Sequence, residues 1–95
     1  MAFVVLATWK AKPGEEARIR EVIAVMTPLS LAEPGCLFYQ AQVSPRDPRT
    51  FVLYEQYVDQ KGYDDHRATA HFQEHVVGRA FASLESRDVV TYETI

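Results

Sequence analysis

The sequence has the pattern of an α+β domain of the ferredoxin-like, split βαβ type, with two helices on one face of a four-stranded antiparallel sheet. Three observations lead there. Alternating and helical apolar patterns follow one another as strand, helix, strand, strand, helix, strand. The second and third strands are joined by only Pro45-Arg46-Asp47-Pro48-Arg49, short enough for a hairpin and hence an antiparallel pair. Large apolar residues occupy both alternating sets of the strands, so the sheet has two faces to cover and the two helices can cover only one.

The elements follow in order. Phe3 to Ala11 alternates, with Phe3, Val5, Ala7 and Trp9 on one face and Val4, Leu6 and Thr8 on the other. Lys12-Pro13-Gly14 closes that strand, and Glu15 and Glu16 favour the positive end of a helix dipole. The first helix runs to about Leu31 and lines up Ile19, Val22, Ile23, Met26 and Leu29, with Pro28 a point of kinking or termination. Glu33-Pro34-Gly35 is a turn. Cys36 to Ser44 forms the second strand, with Leu37, Tyr39, Ala41 and Val43 on one face. The third strand starts at Phe51. Tyr63 to His66 suits one helical turn, and a longer helix is expected from about Arg67 to Leu84, with Phe72, Val76, Val77, Ala80, Phe81 and Leu84 as its stripe. Arg87 to Thr94 is the last strand.

The 95 residues suffice for one domain, 1–95, with a small core; 47% are hydrophobic and 24% charged, an ordinary globular balance. A net charge of −3 and scattered Lys and Arg argue against nucleic acid. The lone Cys36 excludes an internal disulfide and fits a reducing compartment. The apolar run Phe3 to Leu6 is too short for a signal or membrane span, so a soluble, cytoplasmic protein is expected.

The chemistry is concentrated between Phe51 and Phe72. In the third strand Phe51, Leu53, Glu55 and Tyr57 share one face, and Val52, Tyr54, Gln56 and Val58 the other. A carboxylate at position 55 must be paired, hydrogen-bonded or open to a wet cavity. It is either a cross-strand hydrogen-bonding partner or a polar group in a pocket. His66 and His71 are five residues apart, so they point apart on a continuous helix and converge only if the chain bends between them. Each is a candidate acid–base group or, equally, a capping or surface residue. His71-Phe72-Gln73-Glu74-His75 also matches the H-x-x-E-H zinc-protease pattern, but a short match on so small a scaffold is easily reached by chance, and no metal is expected. The outer sheet face calls for a second copy of the chain. Burying even half of a standard interface contributes on the order of 10 kcal/mol before association costs.

Tyr54-Glu55-x-Tyr57 followed by His66-x-x-Thr69-x-His71-Phe72 resembles the antibiotic biosynthesis monooxygenase family. Lys12-Pro13-Gly14, Glu33-Pro34-Gly35-Cys36 and Val90-Thr91-Tyr92-Glu93 extend the resemblance over the whole chain. It implies a dimeric α/β-barrel of ferredoxin-like subunits, each with a cavity between sheet and helices. It also implies a small monooxygenase that oxidises a quinol or polycyclic phenol with O2 and without a cofactor. In that reading His66 or His71 is the base or its orienter, and Glu55 sets the tautomer or binds a substrate hydroxyl. Tyr54, Tyr57, Tyr63 and Phe72 then shape the substrate pocket. Tyr57 stands where many members have Trp, and the Asn of the haem-degrading branch is missing from Ala7-Thr8-Trp9. An isomerase, a haem-degrading enzyme and a non-catalytic ligand-binding or stress-response module are the other readings the resemblance leaves open.

Overall fold

A computed structural model describes all 95 residues. The elements are β1 (Phe3–Ala11), α1 (Glu16–Leu31), β2 (Cys36–Val43), β3 (Thr50–Tyr57), α2 (Gln60–Ala68), α3 (Phe72–Ala80), a short 3-10 turn (Phe81–Ser83) and β4 (Leu84–Glu93). The strands form one antiparallel sheet in the order β2-β3-β1-β4, which is the ferredoxin-like arrangement. β1 and β3 are central. Val5 stands opposite Glu55 on one side and Thr91 on the other, and Trp9 stands opposite Phe51 and Arg87.

The helices cover the face that carries Val5, Ala7, Trp9, Phe51 and Leu53. Ala7, Trp9, Phe51 and Leu53 pack with Ile19, Val22 and Met26 of α1 and with Val76 and Ala80 of α3 into one core. The strand alternation in β1 and β3 therefore falls as the sequence indicates. The opposite face holds Leu6, Phe38, Tyr54, Val90 and Tyr92, and no helix lies over it; Phe38, Val90 and Tyr92 are among the exposed large hydrophobic residues. No helix is long and apolar enough to cross a membrane.

Several expectations need correcting. Leu37 does not share the face of Tyr39. A bulge between Cys36 and Phe38 breaks the register, so Cys36 packs against the core and Leu37 is exposed. The buried stripe of α1 ends on Ser30, while Leu29 is exposed, and the helix continues past Pro28 to Leu31. The last strand begins three residues earlier than expected, at Leu84, and ends at Glu93.

The largest correction concerns the second helical region, which is not one helix from Arg67 to Leu84. α2 is capped by Asp59, whose carboxylate accepts the Gly62 N–H at 2.8 Å, and it already contains Tyr63 to His66. It stops at Thr69, whose backbone is extended (φ −65°, ψ 152°). The Thr69 hydroxyl donates to His66 O at 2.7 Å and accepts the Phe72 N–H at 3.2 Å, so one side chain satisfies both sides of the bend. α3 then winds as a wide π-type helix, with the Phe81 N–H bonded to Val76 O five residues back.

Candidate active site

Three segments meet beneath the helices. The turn after α1 supplies Glu33, α2 supplies His66, and the chain beyond the Thr69 bend supplies His71. Glu33 comes close because Gly35 and Gly62 touch: a Cβ added at Gly35 would lie 2.9 Å from Gly62 Cα. The Val58 N–H also donates to Gly35 O at 2.9 Å. Two glycines thus let the α1–β2 turn lie against the start of α2.

The two histidines converge on that one carboxylate. His66 Nδ1 lies 3.0 Å from both Glu33 oxygens, and His71 Nε2 lies 2.6 Å from Oε2. A carboxylate only accepts, so each of these ring nitrogens carries its proton and donates it. His66 is 2% exposed, and its burial lowers its pKa even though Glu33 pulls the other way. A neutral imidazole with its proton on Nδ1 has a bare lone pair on Nε2. That nitrogen is directed toward Glu55, whose Oε1 is 3.9 Å away. This separation is too long for a hydrogen bond and leaves room for an oxygen within reach of both groups.

Glu55 is 5% exposed and accepts the Tyr57 hydroxyl at 2.5 Å. Burial pushes its carboxyl up to about 7, against the lowering effect of the Tyr57 bond, and the nearby Glu33 raises it further. The Tyr57 hydroxyl is held well above the ordinary phenol range by burial and by Glu55. Burial and Glu33 push the Cys36 thiol up to about 11, which leaves it unreactive.

His66 and Glu55 line a cavity of about 560 Å³ between the sheet and α2 and α3. Ten of its sixteen lining residues are hydrophobic, among them Trp9, Tyr39, Tyr63 and Phe72, so its walls suit an aromatic body. The His66 ring stands edge-on to Phe72 at 5.1 Å and stacks on Tyr63 at 6.3 Å. Thr91, Gln73, Arg67 and Arg87 supply the polar part of the lining.

Of the residues proposed from sequence, the structure brings His66, Glu55, Tyr63 and Phe72 together on the cavity wall. Tyr57 is buried, lies outside the cavity lining and touches the site only by donating its hydroxyl to Glu55. His71 lies outside the lining and reaches the cavity only through Glu33 and His66. Tyr54 is on the opposite face of the sheet, where Gln56 donates to its hydroxyl at 2.9 Å. Alternation from Glu55 sends it there, so its expected place in the pocket is corrected. His75 pairs with Glu74 at 3.0 Å and does not join the other histidines. Glu33 escaped the sequence reading. An acid before Pro-Gly reads as a solvated turn residue, and nothing local signals that it is buried. Trp9, Tyr39 and Arg87 likewise carry no local signal beyond their places in strands.

The sequence profile of the family described as antibiotic biosynthesis monooxygenase matches residues 2–77. Among curated proteins none matches the sequence. A protein of Shewanella oneidensis of known structure is 28% identical, with a TM-score of 0.91 over 98% of this chain and 90% of its own. A Pseudomonas aeruginosa protein is 26% identical, with a TM-score of 0.91 over 99% of this chain and 94% of its own. A structure described as an antibiotic biosynthesis monooxygenase is 28% identical, with a TM-score of 0.90 over 98% of each chain. The matched profile spans most of this chain, which therefore belongs to the antibiotic biosynthesis monooxygenase family.

Proposed function

We propose that this chain is a cofactor-independent monooxygenase that oxidises a polycyclic phenol or quinol to a quinone with O2, and that it works as a homodimer. The observation that carries the reading is His66 Nδ1 at 3.0 Å from the Glu33 carboxylate, a contact that assigns the proton to Nδ1 and leaves Nε2 turned toward Glu55 on an aromatic-walled cavity. Family membership supports oxygenase chemistry.

The phenol hydroxyl sits between His66 Nε2 and Glu55, and Nε2 takes its proton. The phenolate is electron-rich and passes one electron to O2. The radical pair recombines at a ring carbon that still bears hydrogen, giving a hydroperoxide. Loss of that hydrogen as a proton, with cleavage of the O–O bond, leaves a quinone carbonyl and releases water. One O2 is consumed, and one of its atoms ends in the product. The substrate is the reductant, so the protein supplies a base, orientation and a water-poor chamber. Trp9, Tyr39 and Phe72 hold the ring system, and Tyr63 closes the wall beside His66. The uncovered outer face, with Phe38, Val90 and Tyr92, supports pairing of two sheets.

The test is O2 consumption with a panel of quinols and polycyclic phenols. Wild type consumes O2 in proportion to quinone formed, and His66→Ala loses activity by about 10²- to 10⁴-fold. Unchanged rates in His66→Ala remove it from the mechanism. Turnover without O2 points to an isomerase, and tight binding without turnover to a ligand-binding module.

A further inference from the structure

We infer that Glu33, His66 and His71 form a binding site for a divalent first-row transition metal of the Zn2+ class, and that the metal switches His66 off as a base. Each of the three residues presents one ligand atom, and these atoms all lie within 4.8 Å of one another. Two neutral imidazoles and a carboxylate form a borderline N2O set, which suits Zn2+, Fe2+ or Co2+ and not the hard cations Ca2+ and Mg2+. Metal–ligand bonds near 2.1 Å put ligand atoms about 3.4 Å apart in a tetrahedral site. His66 Nδ1 at 3.0 Å and His71 Nε2 at 2.6 Å from Glu33 Oε2 need small outward shifts from the carboxylate to reach that spacing, and the two imidazole nitrogens lie within 4.8 Å of each other. His66 and Glu33 are nearly closed off, whereas the His71 side chain is 21% exposed, so the ion enters past His71 and a water completes its coordination.

The pairing departs from the H-x-x-E-H motif. In that motif His71 and His75 would share the ion. Here His75 Nε2 lies 3.0 Å from Glu74 and its Nδ1 lies 3.4 Å from Arg79 Nη1, while His71 turns to Glu33. The Thr69 bend replaces the local pair with one assembled from three segments.

The consequence follows from proton positions. A metal on Nδ1 of His66 displaces the proton from that nitrogen, and a neutral ring then carries it on Nε2. The cavity-facing lone pair becomes an N–H. No proton is gained or lost by the ring, but the base is gone. This effect on catalysis rests on the reading of His66 as the base; the metal site itself does not.

The experiment titrates the metal-free protein with Zn2+ by calorimetry and with Co2+ by visible absorption. One ion per chain is expected. His71→Ala and Glu33→Ala weaken binding by about a hundredfold or more, and His75→Ala leaves it unchanged. Circular dichroism checks each fold, and His71→Asn replaces His71→Ala if the latter unfolds. Nitrogen NMR of the His66 ring reads the second part directly: Zn2+ moves the proton from Nδ1 to Nε2. Zn2+ also suppresses O2 uptake by wild type, and a chelator restores it. Absence of saturable binding, retention of binding in the His71 variants, or loss of binding in His75→Ala overturns the site. A bound ion that leaves the proton on Nδ1, or that raises O2 uptake, overturns the switch. A protein that oxidises no phenol yet shows the binding and the tautomer change contradicts the proposed function alone.

Discussion

The Nδ1–H of His66 meets both carboxylate oxygens of Glu33 at 3.0 Å, across thirty-three residues of sequence. That contact fixes the ring's orientation and tautomer together, so it decides which nitrogen faces the cavity. Glu33→Gln removes the charge and offers an amide that can point the wrong end at the ring. Glu33 raises the His66 pKa, so its removal lowers that pKa further. The expected result is a kcat reduced by about ten- to a hundredfold, with the acid limb of the pH–rate profile moved to lower pH. Stopped-flow O2 uptake across pH 4.5–8 measures both.

Glu55 gives a prediction of opposite sign for stability. Its folded pKa of about 7 lies above the unfolded value near 4.3. Between these values the native state binds more protons than the unfolded one, so stability from this group falls as pH rises. The effect is on the order of 3 kcal/mol when fully developed. His66, with its lowered pKa, works in the other direction below about pH 6.5, and it is common to wild type and variant. Glu55→Gln is therefore more stable relative to wild type at pH 8 than at pH 5. Urea unfolding of both proteins at the two pH values checks the difference.

Much of the fold was legible because alternation in β1 and β3 and the α1 stripe are strong, local signals. Glu55 was legible as an anomaly, a carboxylate in an apolar strand. The helical region after β3 was not. His66 sits in a stretch that suits a single helical turn and His71 inside the helix expected from about Arg67, and the break that brings them together comes from the Thr69 hydroxyl bonding both ways at 2.7 and 3.2 Å. The Leu37 misplacement has the same origin: one bulged residue flips the alternation, and no residue type announces it. Glu33 depends on a contact between distant segments, which spacing along the chain cannot reveal.

The Gly35–Gly62 contact joins the two halves of the site. Gly35→Ala puts a methyl group 2.9 Å from Gly62 Cα, with backbone and no flexible side chain to yield. Overpacking of this kind costs about 1–3 kcal/mol. Thermal unfolding should show the loss, and O2 uptake should fall with it, because α2 carries His66 away from Glu33 as it shifts.

The outer sheet face predicts assembly. Val90 lies opposite Leu6 on that face and is exposed in the single chain, so Val90→Asp leaves the subunit fold intact. In a sheet-to-sheet dimer it buries an unpaired charge, at a cost of several kcal/mol. Light scattering after gel filtration should give a dimer for wild type and a monomer for Val90→Asp. A monomeric wild type at tens of micromolar removes the dimer.

The most direct measurement is long-range 1H–15N NMR of the His66 ring at neutral pH in the metal-free protein. A protonated, hydrogen-bonded Nδ1 and an unprotonated Nε2 are expected, with the ring gaining its second proton only below the ordinary imidazole range. A proton on Nε2, or a doubly protonated ring at pH 7, leaves no lone pair facing the cavity and contradicts His66 as the base.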